Sequence, residues 1–239
     1  MFAVLTVLYA REPKNADRSN SLASQAQQNS GDSDALQHVI AEMDHAAANF
    51  RTTQAKFVWT QYTSVVNDIT DTQKGTVYFR RVGNQVEMAA DITDPAPPKY
   101  LLYADNKVQV YQPKIEQVTQ YDTGKDRSVV ESFLVLGFGG SGQDMLKSFS
   151  VTYLGTESLD GVETAKIDLV PKSEKARNTF THIWLWVDSR GISVQQKLFA
   201  PGGDYRLATY SDIHLNEKIP DSAFKLKTTG KTKILSPKG

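Results

Sequence analysis

An α+β fold is predicted for this chain: an unclosed antiparallel β-barrel, a curved sheet of about ten strands with helices covering its concave face. Three features predict it. From Thr52 onward the sequence reads as alternating strands punctuated by turns. One stretch interrupts them, Ser128–Phe149, an apolar helical segment too greasy for the surface. A single amphipathic helix precedes the first strand. Helix, strands, helical insert and strands again is the order of one large sheet with helices packed against it.

The elements follow in order. Leu36, Val39, Ile40, Met43, Ala47 and Phe50 recur at helical spacing, which predicts a helix over Ser33–Asn49 capped by Ser33 or Asp34. Ala55–Asn67 alternates and is rich in aromatic and β-branched residues, as a strand should be. Asp68–Lys74 reads as a turn, Gly75–Arg81 as the return strand, and Gly83-Asn84 as the turn into Val86–Ile92. Asp94-Pro95-Ala96-Pro97-Pro98 is a stiff connector with few free amides. Tyr100–Ala104 and Lys107–Gln112 flank Asp105-Asn106 as a tight hairpin, and Gln117–Tyr121 adds a short strand.

Within the insert, Ser141 with Asp144 three residues later resembles a capping box opening Gln143–Ser148. Val151–Ser158 and Val162–Val170 flank the turn Asp160-Gly161. Pro171–Asn178 is a charged loop. Thr181–Val187, Ile192–Ala200 and Tyr205–Leu215 form a meander. A last strand is expected near Ala223–Leu226, and the basic tail Lys225–Lys238 is expected to be partly loose.

Residues 32–239 are expected to form one domain. Residues 1–31 are expected to be a signal-like segment and a disordered linker. Phe2–Ala10 is apolar with the length of a signal-peptide core but no positive flank. It reads as a signal peptide whose start lies upstream, with Ser24-Gln25-Ala26 as the cleavage site, or as an uncleaved tail. Arg11–Asp32 is rich in Ser, Asn, Gln and Asp and has no periodicity.

Composition removes whole classes of function. Lys+Arg and Asp+Glu are both 27, and no basic stripe interleaved with aromatics occurs, so nucleic acid is not an expected partner. With no cysteine in the chain, disulfides, thiolate catalysis and Cys-ligated zinc are excluded. Gly137-x-Gly139-x-x-Gly142 matches a dinucleotide fingerprint, but the flanks are antiparallel hairpins and not a βαβ unit. Clustered glycines (Gly137, Gly139, Gly140, Gly142) read better as a hinge. Gln143 stands where a nucleophile elbow needs its second glycine. His38 and His45 lie a heptad apart, which is not metal spacing, and His182 and His214 are isolated on strands. No carboxylate pair suits acid–base work. The chain is therefore expected not to be an enzyme, and to use no cofactor and no metal.

The strand aromatics are more informative. Phe57 and Trp59 share a face, as do Val77 and Phe79, and Val86 and Met88. Taken singly each is ordinary core. Together with Met88 and Met145 they make an adaptable surface for variable apolar shapes. Phe133, Leu134 and Met145 of the insert are expected to meet Phe57, Phe79 and Met88 across it, and Leu146 is expected to join them in lining the ligand site. A curled sheet with an incompletely filling helical plug holds a cavity for an oily ligand. Ile183, Leu185 and Val187 alternate with His182, Trp184 and Trp186, so both faces of that strand are apolar; the second face is a contact surface or is covered by a loop.

Four spaced pieces carry a family resemblance: Phe50–Trp59 (FRTTQAKFVW), Gly75–Arg81 (GTVYFRR), Leu101–Gln117 (LLYADNKVQVYQPKIEQ) and Ile219–Leu226 (IPDSAFKL). In order and spacing they resemble the periplasmic outer-membrane lipoprotein carrier proteins, the LolA family. The likeness covers most of Asp32–Lys227. It implies an open barrel with a helical lid over an apolar cavity. It implies acylated lipoproteins or lipids as cargo, and a periplasmic, monomeric carrier. Its partners would be an inner-membrane lipoprotein-release transporter and an outer-membrane acceptor. It also implies a lid latch at Arg81. The sequence departs from the family there: Arg81-Val82 replaces Arg-Pro, and Arg80 competes for the role. Met88 stands nearest the family's cavity tryptophan. The alternative on the same scaffold is a lipid- or lipoprotein-sensing regulatory domain. The sister outer-membrane receptor is itself lipidated on a cysteine, which this chain lacks.

Overall fold

The computed structural model describes residues 16–83, 85–124, 136 and 138–237, with side chains from residue 31 onward. The chain enters as helix α1 (Ala16–Asn49) and passes into β1 (Thr52–Thr63), β2 (Asp68–Val82), β3 (Gln85–Asp94) and β4 (Lys99–Ala104). β5 (Lys107–Gln112) and β6 (Gln117–Asp122) complete the first run. After helix α2 (Gly142–Ser148) come β7 (Phe149–Leu159), β8 (Val162–Pro171), the short helix α3 (Glu174–Arg177), β9 (His182–Asp188), β10 (Ser193–Phe199) and β11 (Tyr205–Leu215). A 3-10 turn at Asp221–Phe224 and β12 (Lys233–Leu235) close the chain.

Among the described residues twelve strands make one sheet, in the order β12-β6-β5-β4-β3-β2-β1-β11-β10-β9-β8-β7. β1 and β11 pair at its centre, joining the two halves of the chain. Every pairing is antiparallel except the short parallel β12–β6 contact. β7 and β12 are the two ends of that order, so the barrel stays open. Two predicted hairpin turns have the positive φ that a two-residue primed turn requires: Asp105 (51°) with Asn106 (61°), and Asp160 (49°) with Gly161 (82°).

Several boundaries differ from the sequence expectation. α1 begins at Ala16, so the expected disordered linker is helical from there on. The polar residues of that stretch are helix-compatible, and a polarity argument does not see backbone hydrogen bonding. The expected turn Asp68–Lys74 is strand, because β1 stays paired with β2 as far as Thr63↔Asp68 and the chain reverses at Ser64–Asn67 instead. Asn67 takes φ 54° in that turn. Pro171–Asn178 contains α3.

The expected strand at Ala223–Leu226 is a 3-10 turn on the convex face. Phe224 seats there against Ala89 and Leu102 and beneath the Arg80 guanidinium at 4.1 Å. One anchor in a pocket decides this segment, where a strand would have needed alternation. The short strand β12, exposed along its length, lies in the tail expected to be partly loose.

Two buried clusters fill the concave side. One joins Val39, Ile40 and Met43 of α1 and Met145 of α2 to Ile167, Leu169, Ile183 and Leu185 of β8 and β9. The other joins Phe50 and Phe138 to Ala55, Phe57, Val77, Phe79 and Met88 of β1–β3, with Ala90, Ile92 and Tyr103 beside them.

Candidate functional site

The wall of the site is the concave face of β1, β2, β3 and β11. Period-2 alternation points Phe57, Val77, Phe79 and Met88 inward together, with Trp59 at the rim stacked on Phe57 at 4.0 Å between centroids. Tyr210 of β11 pairs with Phe57 and shares that face. Burial pushes the Tyr210 phenol up to about 12, opposed by a hydrogen bond with Trp59. The wall therefore stays uncharged at neutral pH. Its orphan polar atom is the buried Thr53 hydroxyl, which has no partner among the described residues; Thr53 pairs directly with Phe79.

Phe138 occupies the centre of this wall. It is 1% exposed, stacked on Phe79 at 5.1 Å and edge-on to Tyr210 at 4.9 Å. Three ties hold the segment that carries it. Arg81 Nη2 donates to the carbonyl oxygens of Gly139 (3.0 Å) and Ala47 (3.3 Å). Ala47 lies in the last turn of α1, where carbonyls lack helical partners and a cation is favoured. The buried Gln196 side chain of β10 donates from Nε2 to the Leu136 carbonyl oxygen. Asp44 of α1 accepts from the Gln143 backbone N–H at 3.0 Å, and Ser141 caps α2 by accepting from Asp144 N–H at 3.0 Å. Gly139 is required as glycine twice over: its φ is +84°, and a Cβ would sit 2.4 Å from the Phe50 ring.

Alternation sends the two arginines to opposite faces of the sheet. Arg80 points to the convex face, where it binds Glu87 (2.6 Å) and Asp221 (2.7 Å). Arg81 points to α1 and the Phe138 segment. The expected hinge residues Gly139 and Gly140 lie between Phe138 and α2, and Gly142 is the first residue of α2. A Cβ at Gly142 would meet the Ile40 carbonyl oxygen at 2.7 Å, so there glycine serves close packing. Phe133, Leu134 and Gly137 lie outside the described residues.

Two expectations about the site are corrected. Met145 and Leu146 do not meet Phe57, Phe79 and Met88; they pack in the other cluster, against α1 and β7–β9. α2 caps that half of the sheet, and Phe138 makes the contact expected of Met145. The interior is also filled more completely than an open hollow requires. Phe57, Val77, Phe79 and Met88 are 2%, 0%, 4% and 7% exposed. Beside α2, a cavity of about 110 Å³ is bounded by Met43, Leu136, Gly140, Met145 and Phe149. That is below the ~150 Å³ that admits a benzene ring. From sequence Phe138 reads only as part of the apolar face of the insert, and Asp44 and Gln196 have no site role; a polar residue at an inward β10 position is the signal that could have found Gln196.

Among the described residues no group of three or more His, Cys, Asp or Glu side chains is placed to hold a metal ion. None of the described helices is long and apolar enough to cross a membrane.

An open antiparallel sheet with an apolar concave wall and a tied-down plug defines an open half-barrel. The model of the outer membrane lipoprotein carrier protein LolA family matches residues 48–227, and the chain belongs to that family. No curated protein matches the sequence. Among solved structures, an uncharacterized conserved protein from Thermus thermophilus is similar at 7% identity and a TM-score of 0.52, covering 83% of this chain and 97% of that one. MucB is similar at 10% identity and a TM-score of 0.51, covering 86% of this chain and 66% of its own. The LolA superfamily protein NE2245 from Nitrosomonas europaea is 15% identical with a TM-score of 0.41, covering 80% of this chain and 97% of its own. At these identities the first two likenesses speak for the fold alone.

Proposed function

We propose that this protein is a periplasmic carrier that takes the acyl chains of lipoproteins or similar lipids onto its concave wall and passes them to an outer-membrane acceptor. It receives them from an inner-membrane release transporter. The observation that carries this reading is the seat of Phe138. An aromatic plug fills an uncharged apolar wall, and its segment is held by exchangeable hydrogen bonds from Arg81 and Gln196. Such a plug can leave, and an acyl chain can replace it. Membership of a lipoprotein-carrier family supports the same class of ligand.

The energetics favour a plug over an open hollow. Each buried CH₂ contributes about 0.8 kcal/mol, so a chain of ~16 carbons offers on the order of 12 kcal/mol. Several such chains in a preformed cavity would exceed any non-covalent affinity observed and would never be released. Displacing a buried phenylalanine costs about 3–5 kcal/mol. Filling the wall with the protein's own side chains in the empty state therefore offsets part of the binding energy and leaves cargo exchangeable.

The test uses the absence of native cysteines. Asp44→Cys with Gln143→Cys puts one cysteine on each of the two residues joined by the bond from the Gln143 backbone N–H to the Asp44 carboxylate. Oxidised, the pair fixes α2 to α1; a fluorescent fatty acid should then fail to bind, and reduction should restore binding. Transfer of that probe to acceptor vesicles distinguishes a carrier from a protein that only senses lipid. Unchanged uptake by the oxidised form, in protein shown to be fully cross-linked, sinks the gating mechanism.

A further inference from the structure

The convex side of the same sheet carries a constellation that the concave site does not use. On β9, Ile183 and Leu185 point into the core while His182, Trp184 and Trp186 point outward. Phe199 of β10 and Tyr205 of β11 continue the row across the strands, and Tyr62 of β1 ends it. His182 stacks on Phe199 at 4.1 Å, Phe199 meets Trp184 at 4.8 Å, and Tyr62 stacks on Tyr205 at 4.6 Å.

Two lysines lie on these rings. Lys166 Nζ is 4.3 Å from the Trp184 centroid and 4.7 Å from that of Trp186. Lys197 Nζ is 3.7 Å from the Tyr205 centroid and 4.9 Å from that of Phe199. The nearby carboxylates are already engaged. Glu157 binds Lys166 at 3.2 Å and accepts from the Trp186 indole at 2.6 Å, and Asp168 binds His182 at 2.9 Å. Lys197 has no carboxylate partner among the described residues. Burial, with the Lys166 charge, lowers its pKa. An ammonium placed on aromatic faces, partly dehydrated and facing a second cation, is a seat for an anion.

We propose that this face, centred on Lys197, Trp184 and Tyr205, binds an acidic segment of a partner protein, with a carboxylate on Lys197 and flanking apolar side chains on the rings. Rigid aromatic surface with a pre-set cation is the composition of an interface hot spot, because little side-chain freedom remains to be lost on docking. The charge argues for an acidic partner. Burial argues for a protein over a bilayer. His182, Trp184, Phe199 and Tyr205 are half-buried rather than protruding, so none is posed to enter lipid. Cargo and partner would occupy opposite faces of the sheet, so one does not exclude the other.

The three tryptophans of the chain report on the two faces separately: Trp184 and Trp186 outside, Trp59 inside. The full chain is titrated with a blocked Leu-Asp-Phe-Glu-Leu peptide, with its Leu-Asn-Phe-Gln-Leu counterpart, and with phosphatidylglycerol vesicles, following indole N–H signals by NMR. The acidic peptide should move Trp184 and Trp186 but not Trp59, saturably and less strongly as salt rises. The neutral counterpart, and the acidic peptide with Lys197→Gln, should bind at least about fivefold more weakly. Lys74→Gln, on a separate part of the sheet, should change nothing. Fatty-acid uptake by Lys197→Gln should match the unaltered protein, which shows that the variant is folded and keeps this result separate from the carrier reading. Equal affinity for both peptides, shifts at Trp59 alone, no shift at all, or vesicle binding that depends on Lys197 without peptide binding would each overturn the proposal.

Discussion

At the level of single residues the site turns on Arg81. Its guanidinium joins the end of α1 to the Phe138 segment through two carbonyl oxygens, and stands 5.6 Å over the Phe50 ring. Because Arg81 is exposed, water competes for both bonds, and their joint worth is about 1 kcal/mol. Arg81→Met keeps the stem and removes the donors. It should raise the open population roughly fivefold and speed fatty-acid uptake by a similar factor, as stopped-flow fluorescence would show, while Arg80→Met leaves uptake rate unchanged. Sequence placed an arginine at the end of this strand, and alternation then decided which of two neighbours faced the plug. Gln196 follows the same rule. Alternation puts this glutamine on the inward face of β10, and the Leu136 carbonyl above it makes it an internal tie.

At the level of elements, α2 is a short helix whose start is held from both sides, by Ser141 within the segment and by Asp44 of α1. Lys147 and the Ser141 hydroxyl hold Asp144 below the usual carboxylate value of 3.8. A carboxylate with a lowered value in the fold contributes stability in full above its ordinary value and loses it as pH falls through the lowered one. Hydrogen exchange of the Met145–Ser148 amides should therefore quicken as pH drops below about 4, after correction for intrinsic exchange. Asp144→Asn should show no such step. The capping pair was readable from spacing alone. The partner of α2 was not: its apolar residues fit either half of the sheet, and β7, which follows it directly, draws it to the β7–β9 side.

Across the whole molecule, the wall and its plug exchange stability for capacity. Phe138→Ala removes a fully buried ring and should cost about 3–5 kcal/mol of stability. The same change leaves an apolar void against Phe79 and Tyr210, so affinity for a short fatty acid such as octanoate should rise. Thermal unfolding with and without the ligand would show a lower midpoint for the variant alone and a larger ligand-induced gain than in the unaltered protein. A variant less stable yet equally weak in binding would show that the Phe138 site is not where the chain lodges.

Most strands, the primed turns and the inward set Phe57, Val77, Phe79 and Met88 are legible in the chain alone, because period-2 alternation and turn chemistry are local properties. So are the absence of thiol chemistry and an α1 face built from Val39, Ile40 and Met43. Three-dimensional packing was needed to show that Phe138 plugs the concave wall, that Gln196 and Arg81 tie the plug from opposite sides, and that Trp184 and Lys197 gather on the far face. The ties join residues up to 99 positions apart, as Asp44 and Gln143 are, and the register of strands against helices that brings them together leaves no local trace in the chain.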